Sequence, residues 1–250
     1  MSALALTTLG VGAADSPRFA PAGLLVERDA VRVMLDGGPS AEPSGRLDAW
    51  LVSDDHAELI ASIRKLAQAR GLEPRVGDFM RDRLRLEFHL VVHTNHPTGG
   101  YLIRAAGCTV AWAPEFFEFP TWAAGADLMF AEASAWNRPI RFARGAGGHL
   151  HALAVAEAAH AHDVKRLVFA HIGRPTIKAI DRGENAPFGE FARDGQVFRL
   201  REGGPRRRAE GPPRTVRTGS IAPLLADAVE RAHHGESISV LSEARIRSLK

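Results

Sequence analysis

Short apolar runs separated by turn residues fill the first third of the chain and predict strands. ALTTLGV (residues 5–11) runs into the glycines Gly10 and Gly12. GLLV (23–26) and AVRVML (30–35) follow, the second closed by the turn chemistry of Asp36, Gly37 and Gly38. DAWLVS (48–53) is short and apolar, as suits a buried strand. The period then changes. Leu59, Ile60, Ile63, Leu66 and Ala67 recur at three- and four-residue spacing, and Gly71 stands where a helix C-cap belongs.

A second set of strands is predicted at 84–92, 100–105, 109–113 and 127–131. Residues 150–162 predict a helix with Leu153, Ala154, Ala158 and Ala161 on its apolar face. The run 164–170 predicts a strand, and His171 to Pro175 the loop after it. The order is strands, helix, strands, helix, strand, without the sustained alternation of a Rossmann sheet. Two mixed sheets packed face to face, with helices outside, fit that order. From residue 203 the chain turns rich in Gly, Pro and Arg, then predicts a helix at 221–233 and a tail at 236–250. The expected division is a domain over 1–202 and a basic linker with a helical extension over 203–250.

Charge sharpens this division. The net charge of +3 conceals seven arginines against Glu202 and Glu210 within residues 199–218. That segment carries +5, so the rest of the chain stands near −2. A basic arm attracts phosphates, although no aromatic residues interleave with these arginines to stack on bases. The single cysteine, Cys108, excludes an intrachain disulfide and a Cys-based zinc cluster. A cytoplasmic protein without a signal peptide or a membrane span is the expectation.

Several stretches carry a resemblance. They are LGVGAAD (9–15) with VMLDGG (33–38), DAWLVSDDHAEL (48–59), TNHPTGGYLI (94–103), AWAPEF (111–116) and GGHLHALAVAEAAHAHDVKRLVFAHIGRP (147–175). In order and content they resemble small RNase Z-like and phosphodiesterase-like members of the metallo-β-lactamase superfamily. The resemblance covers residues 5 to 175 and implies an α+β fold, the αββα sandwich. It also implies a metal site at the strand ends. Set against the family's His-x-His-x-Asp-His signature, Asp54 stands for the first histidine and His56 for the second. Glu58 stands for the aspartate and Leu59 for the last histidine. Glu115 stands for the bridging aspartate, His96 for the third histidine and His171 for the closing one, while His93 reads as structural.

The resemblance therefore implies one oxygen-rich mononuclear site from Asp54, His56 and His96, with Glu115 at its edge. Glu58, Glu115 and His171 make a thinner second set. Carboxylate in place of imidazole hardens the donor set, which suits manganese or ferrous iron as well as zinc. Glu58 and His149 are the expected catalytic residues, the latter protonating the leaving group, and Arg174 is the expected phosphate-binding residue. Plainer roles exist for some: Asp54 and Asp55 as helix N-caps, His56 as a core histidine, Arg174 as a surface arginine.

No Gly-x-Ser-x-Gly elbow or phosphate loop is present. The expected function is metal-dependent hydrolysis of a small-molecule or nucleotide phosphoester or phosphodiester with one divalent ion. The alternative is a non-catalytic binding protein on the same fold, contacting nucleic acid through the Arg-rich segment. A homodimer is compatible with either.

Overall fold

A computed structural model describes residues 3–143 and 147–201. A compact unit falls within Met1–Gly204, and residues 205–250 lie outside the described residues. The helix expected at 221–233, the tail and all but Arg199 and Arg201 of the seven arginines lie outside them too.

The first sheet orders five strands as β14-β1-β2-β3-β4. They are β1 (Leu4–Gly10), β2 (Gly23–Arg28), β3 (Val31–Asp36), β4 (Ala49–Leu51) and β14 (Gln196–Leu200). The second orders seven as β13-β12-β9-β8-β7-β6-β5. These are β5 (Phe79–Arg81), β6 (Leu84–Val91), β7 (Thr98–Ala105), β8 (Cys108–Ala113), β9 (Leu128–Ala133), β12 (Leu167–Ile172) and β13 (Glu190–Phe191). Both sheets are mixed. β3 pairs parallel with β4, and β8, β9, β12 and β13 run parallel to one another, while the other pairs are antiparallel.

The residue pattern accounts for this arrangement. β1 alternates buried and half-buried residues, the signature of a strand with one face on the core. β9 and β12 are buried throughout, as parallel strands covered on both faces must be. Apolar side chains of both sheets form the main core, with Leu6, Leu24 and Phe198 from the first and Trp112, Phe130 and Phe169 from the second. A smaller cluster of Met34, Trp50, Val52, Ile63 and Ala67 seats helix α1 (Ile60–Gln68) on the outer face of the first sheet. Helix α2 (Ala152–Ala161) packs on β9 and β12. A third helix, α3 (Arg174–Asp181), follows β12 directly. A two-stranded flap, β10 (Ile140–Arg141) with β11 (Gly148–His149), stands apart from both sheets.

Some details differ from the sequence reading. α2 buries Ala152, Val155, Ala156 and Ala159, nearly the opposite face from the predicted stripe, because an alanine-rich helix presents almost the same side chain on every face. Helix α1 begins at Ile60 with Leu59 at its N-cap and no side-chain cap. Asp54 and Asp55 do not cap it. β12 extends to Ile172, so His171 lies inside the strand rather than at a loop start. The short elements β5, β10, β11, β13, β14 and α3 carry too little periodicity to show in the sequence. Arg199, read as part of the basic arm, belongs to β14 and pairs opposite Ala5.

Candidate active site

The site is built where strands of both sheets end on one side of the sandwich. β3 closes on Asp36, held at φ 50°. Its side chain accepts from Ser53 N at 2.6 Å and Ser53 Oγ at 3.0 Å. It also accepts from Trp112 Nε1 at 2.6 Å, and its backbone oxygen accepts from Trp50 Nε1 at 2.9 Å. Since Trp112 lies on β8, Asp36 ties one sheet to the other. Burial pushes its carboxyl up to about 6, against these hydrogen bonds, which lower it.

Ser53, so fixed, delivers Asp54. This carboxylate is buried and accepts from His56 N at 2.7 Å. Its other oxygen lies 2.8 Å from His96 Nε2 and 3.3 Å from Thr98 Oγ1. His56 is exposed, with Nδ1 2.6 Å from Asp55 and its ring 5.0 Å from that of His96. One donor atom each from Asp54, His56 and His96 lie within 4.8 Å of one another. That mixed oxygen and nitrogen set fits one divalent ion. Leu59, in the same stretch of chain, offers no donor atom.

Deeper in, imidazoles and carboxylates alternate in a chain. His149 Nδ1 is 2.6 Å from Glu132 Oε2, and Glu132 Oε1 is 3.4 Å from His171 Nδ1. His171 Nε2 is 2.9 Å from Glu115 Oε1, and Glu115 Oε2 is 3.5 Å from His93 Nε2. Ser134 Oγ lies 2.8 Å from His171 Nδ1. Burial alone would keep these carboxyls neutral and the imidazole uncharged; proximity reverses both tendencies. His171, between Glu115 and Glu132, is pushed up to about 10. Glu115 is drawn down to about 2 by His171 and His93, and Glu132 is held well below the usual range by His149 and His171. His171 also sits at φ 129°, a conformation non-glycine residues avoid at a cost of about 1–3 kcal/mol. Such strain persists where surrounding contacts dictate the position.

A cleft of about 510 Å³ opens over these groups. Asp15, Asp36, Asp54, Glu58 and Glu115 line it, as do His56, His93, His149 and His171. Among the described residues, Arg174, the first residue of α3, is the one lining arginine, and no lysine lines the cleft. Arg174 Nε lies 3.4 Å from the backbone oxygen of Asp15.

The expected residues divide between the two clusters. Asp54, His56 and His96 come together. Glu115 and His171 pair with each other instead, and Glu58 is exposed on the cleft wall, outside both three-member donor clusters found among the described residues. His149 lies in β11 and belongs with Glu132 and His171. His151 caps α2 by accepting from Ala154 N, a structural task. The sequence reading missed Asp36, Glu132 and Ser134 and set His93 aside. His93 is buried, and its Nδ1 lies 2.8 Å from Gly148 O. A lone glutamate inside the apolar run LMFAEA was the available signal for Glu132, since a buried carboxylate needs a partner.

Two mixed sheets with outer helices and a His/Asp/Glu-lined cleft at their strand ends define the metallo-β-lactamase fold, and this protein has that fold. Solved structures agree. It is similar to the metallo-β-lactamase fold protein YhfI from Bacillus subtilis, with TM-score 0.63 and 15% identity over 80% of this chain and 100% of that one. A diphosphatase from the PhnP family aligns with TM-score 0.61 and 19% identity over 80% of this chain and 98% of its own. The human short-form tRNase Z gives 0.58 and 15% over 78% and 98%. No protein-family model and no curated protein matches the sequence. Among the described residues, no helix is long and apolar enough to cross a membrane.

Proposed function

We propose that the protein hydrolyses a phosphoester, in the first place a phosphodiester, with one divalent ion held by Asp54, His56 and His96. One observation carries this reading. Asp54 and His56 line the same cleft as His149, whose Nδ1 is anchored to a buried carboxylate. The diphosphatase and tRNase Z likeness supports the substrate class. Charge supports the ion: among the described residues five carboxylates and one arginine line the cleft, and added positive charge there favours a phosphoryl anion. When bound, such an ion supplies that charge and a lower pKa for water. Zinc, manganese and ferrous iron all suit the donor set.

The chain's own residues have distinct tasks. Arg174 grips a phosphoryl oxygen with its guanidinium fork. Glu58 takes the proton from the attacking water, whose oxygen forms the new bond to phosphorus. As the ester P–O bond breaks, His149 passes its proton from Nε2 to the departing oxygen. Glu132, on Nδ1, fixes the tautomer and orientation of that ring.

A second reading is a non-catalytic binding protein. Leu59, and the mutual pairing of Glu115 with His171, favour it. Both readings meet one experiment: elemental analysis after soaking in zinc, manganese and ferrous iron, then assay on bis(p-nitrophenyl) phosphate. One ion per chain with turnover supports the hydrolase. A saturated protein inert on all ester classes, or one that binds no ion and melts identically in chelator, leaves the binding protein.

A further inference from the structure

We propose that the flap formed by β10 and β11 is the seat of the leaving group, and that it selects an apolar alcohol. This rests on the hydrolase reading, which makes His149 the donor to the departing oxygen. Whatever flanks His149 in the cleft then meets the leaving group; besides the imidazoles of His93 at 4.7 Å and His171 at 5.7 Å, the side chains that do so are the apolar Ile140 and Phe142.

Ile140 pairs directly opposite His149 in the flap, so the two side chains are cross-strand neighbours. It is an apolar side chain with 38% of its surface exposed, and it lines the cleft. Phe142 also lines the cleft and sets its ring edge-on against His149 at 5.4 Å and His93 at 5.3 Å. The residue between them, Arg141, turns away and lies over the Phe117 ring at 5.0 Å. No charged side chain of β10 therefore faces the cleft beside His149.

The wall is fixed in place. Gly148 N donates to His93 O at 2.8 Å, and Phe142 N donates to Gly147 O at 3.0 Å. Both glycines have positive φ. A Cβ on Gly147 would lie 2.1 Å from His93 O, and one on Gly148 1.9 Å from Ile140 O. The sequence thus spends two glycines to press an isoleucine and a phenylalanine against the proton donor. A hydroxylated or charged leaving group would lose its hydration there with no polar side chain of β10 to replace it. An alkyl or aryl group gains about fourfold in affinity for each methylene it buries.

The test uses the full-length protein with methyl-labelled isoleucine. The probes are 2-naphthol and, as a polar counterpart, 4-hydroxybenzoate. Saturable shifts of the Ile140 methyl with 2-naphthol, at least tenfold weaker affinity for 4-hydroxybenzoate, and at least tenfold loss of 2-naphthol binding in Ile140→Ser with recovery in Ile140→Met are expected. Equal affinity for the two alcohols, or binding unchanged in Ile140→Ser, overturns the proposal. A kinetic arm compares methyl phosphodiesters of two phenols matched in acidity, one carrying an alkyl group and one a carboxylate. A tenfold higher kcat/KM for the first, lost in Ile140→Ser, is expected, and equal kcat/KM overturns the proposal. Selective naphthol binding at Ile140 in a protein that hydrolyses neither ester upholds the apolar wall and removes the phosphoester reading alone.

Discussion

The imidazole of His149 is held 2.6 Å from Glu132, a glutamate with no exposed surface, at the rim of a cleft whose other wall gathers Asp54 and His56. A buried carboxylate on Nδ1 leaves Nε2 as the atom that can exchange a proton with a ligand. Glu132→Gln is expected to lower kcat about 100-fold with little change in KM. The loss should grow as the leaving alcohol becomes more basic, since poor leaving groups depend most on protonation. Steady-state rates on a graded series of aryl esters check this. A loss of equal size across the series would make Glu132 a packing residue.

Removing His171 takes the cation from between the buried Glu132 and the half-buried Glu115. His171→Gln should destabilise the metal-free protein by about 3–5 kcal/mol, the usual cost of breaking a buried pair. The pH dependence has a definite sign. The His171 contribution, with its pKa raised to about 10, is complete below about 6.5 and fades as pH rises through 10. The Glu115 contribution, with its pKa lowered to about 2, is complete above about 4.5 and fades as pH falls through 2. The difference between wild type and His171→Gln in urea denaturation should therefore be greatest between pH 4.5 and 6.5. A flat difference from pH 5 to pH 10 would show that His171 is not charged in the fold.

Metal stoichiometry separates the two donor clusters. Asp54→Ala and His96→Ala should each abolish tight binding of the ion, while Glu115→Gln should retain it. In wild type, free ion at about 100 times Kd should add about 2.7 kcal/mol of stability, read as a rise in Tm. Two ions bound at once in calorimetric titration would place the second on the Glu132, His149 and His171 cluster and contradict the one-ion site.

The flap glycines give a structural check. Gly148→Ala forces a methyl into Ile140 O at a positive φ of 147°. A cost of about 1–3 kcal/mol in stability is expected, with a displaced His149 and lower kcat. Retained stability and rate would show that the flap has room to shift.

Much of the fold was legible because both cores follow simple periods. β1 alternates, β9 and β12 are apolar apart from Glu132 and His171, and α1 repeats at helical spacing. Asp54 and His56 drew notice as candidates because they follow a buried strand end. The sequence did not show how two neighbours divide between the clusters. His93 and His96 stand three apart on one bend, and no pattern in the chain says which of them turns inward. The structure places His93 under the flap with Glu115 and His96 against Asp54. The pairing of Glu132 with His149 spans elements that come together only when β9 and the flap are in place.

The Asp36–Trp112 hydrogen bond has a consequence for how such a protein can change. It links β3 to β8, and the walls of the cleft continue from those same two sheets. Docking of the sheets and spacing of the cleft walls are thus one mechanical variable. A ligand that draws the walls together tightens the sandwich as a whole, and its affinity becomes a gauge of how firmly the sheets are seated. Substitutions deep in the core should then alter ligand affinity without touching the cleft, and they should do so in proportion to how far they let the two sheets part.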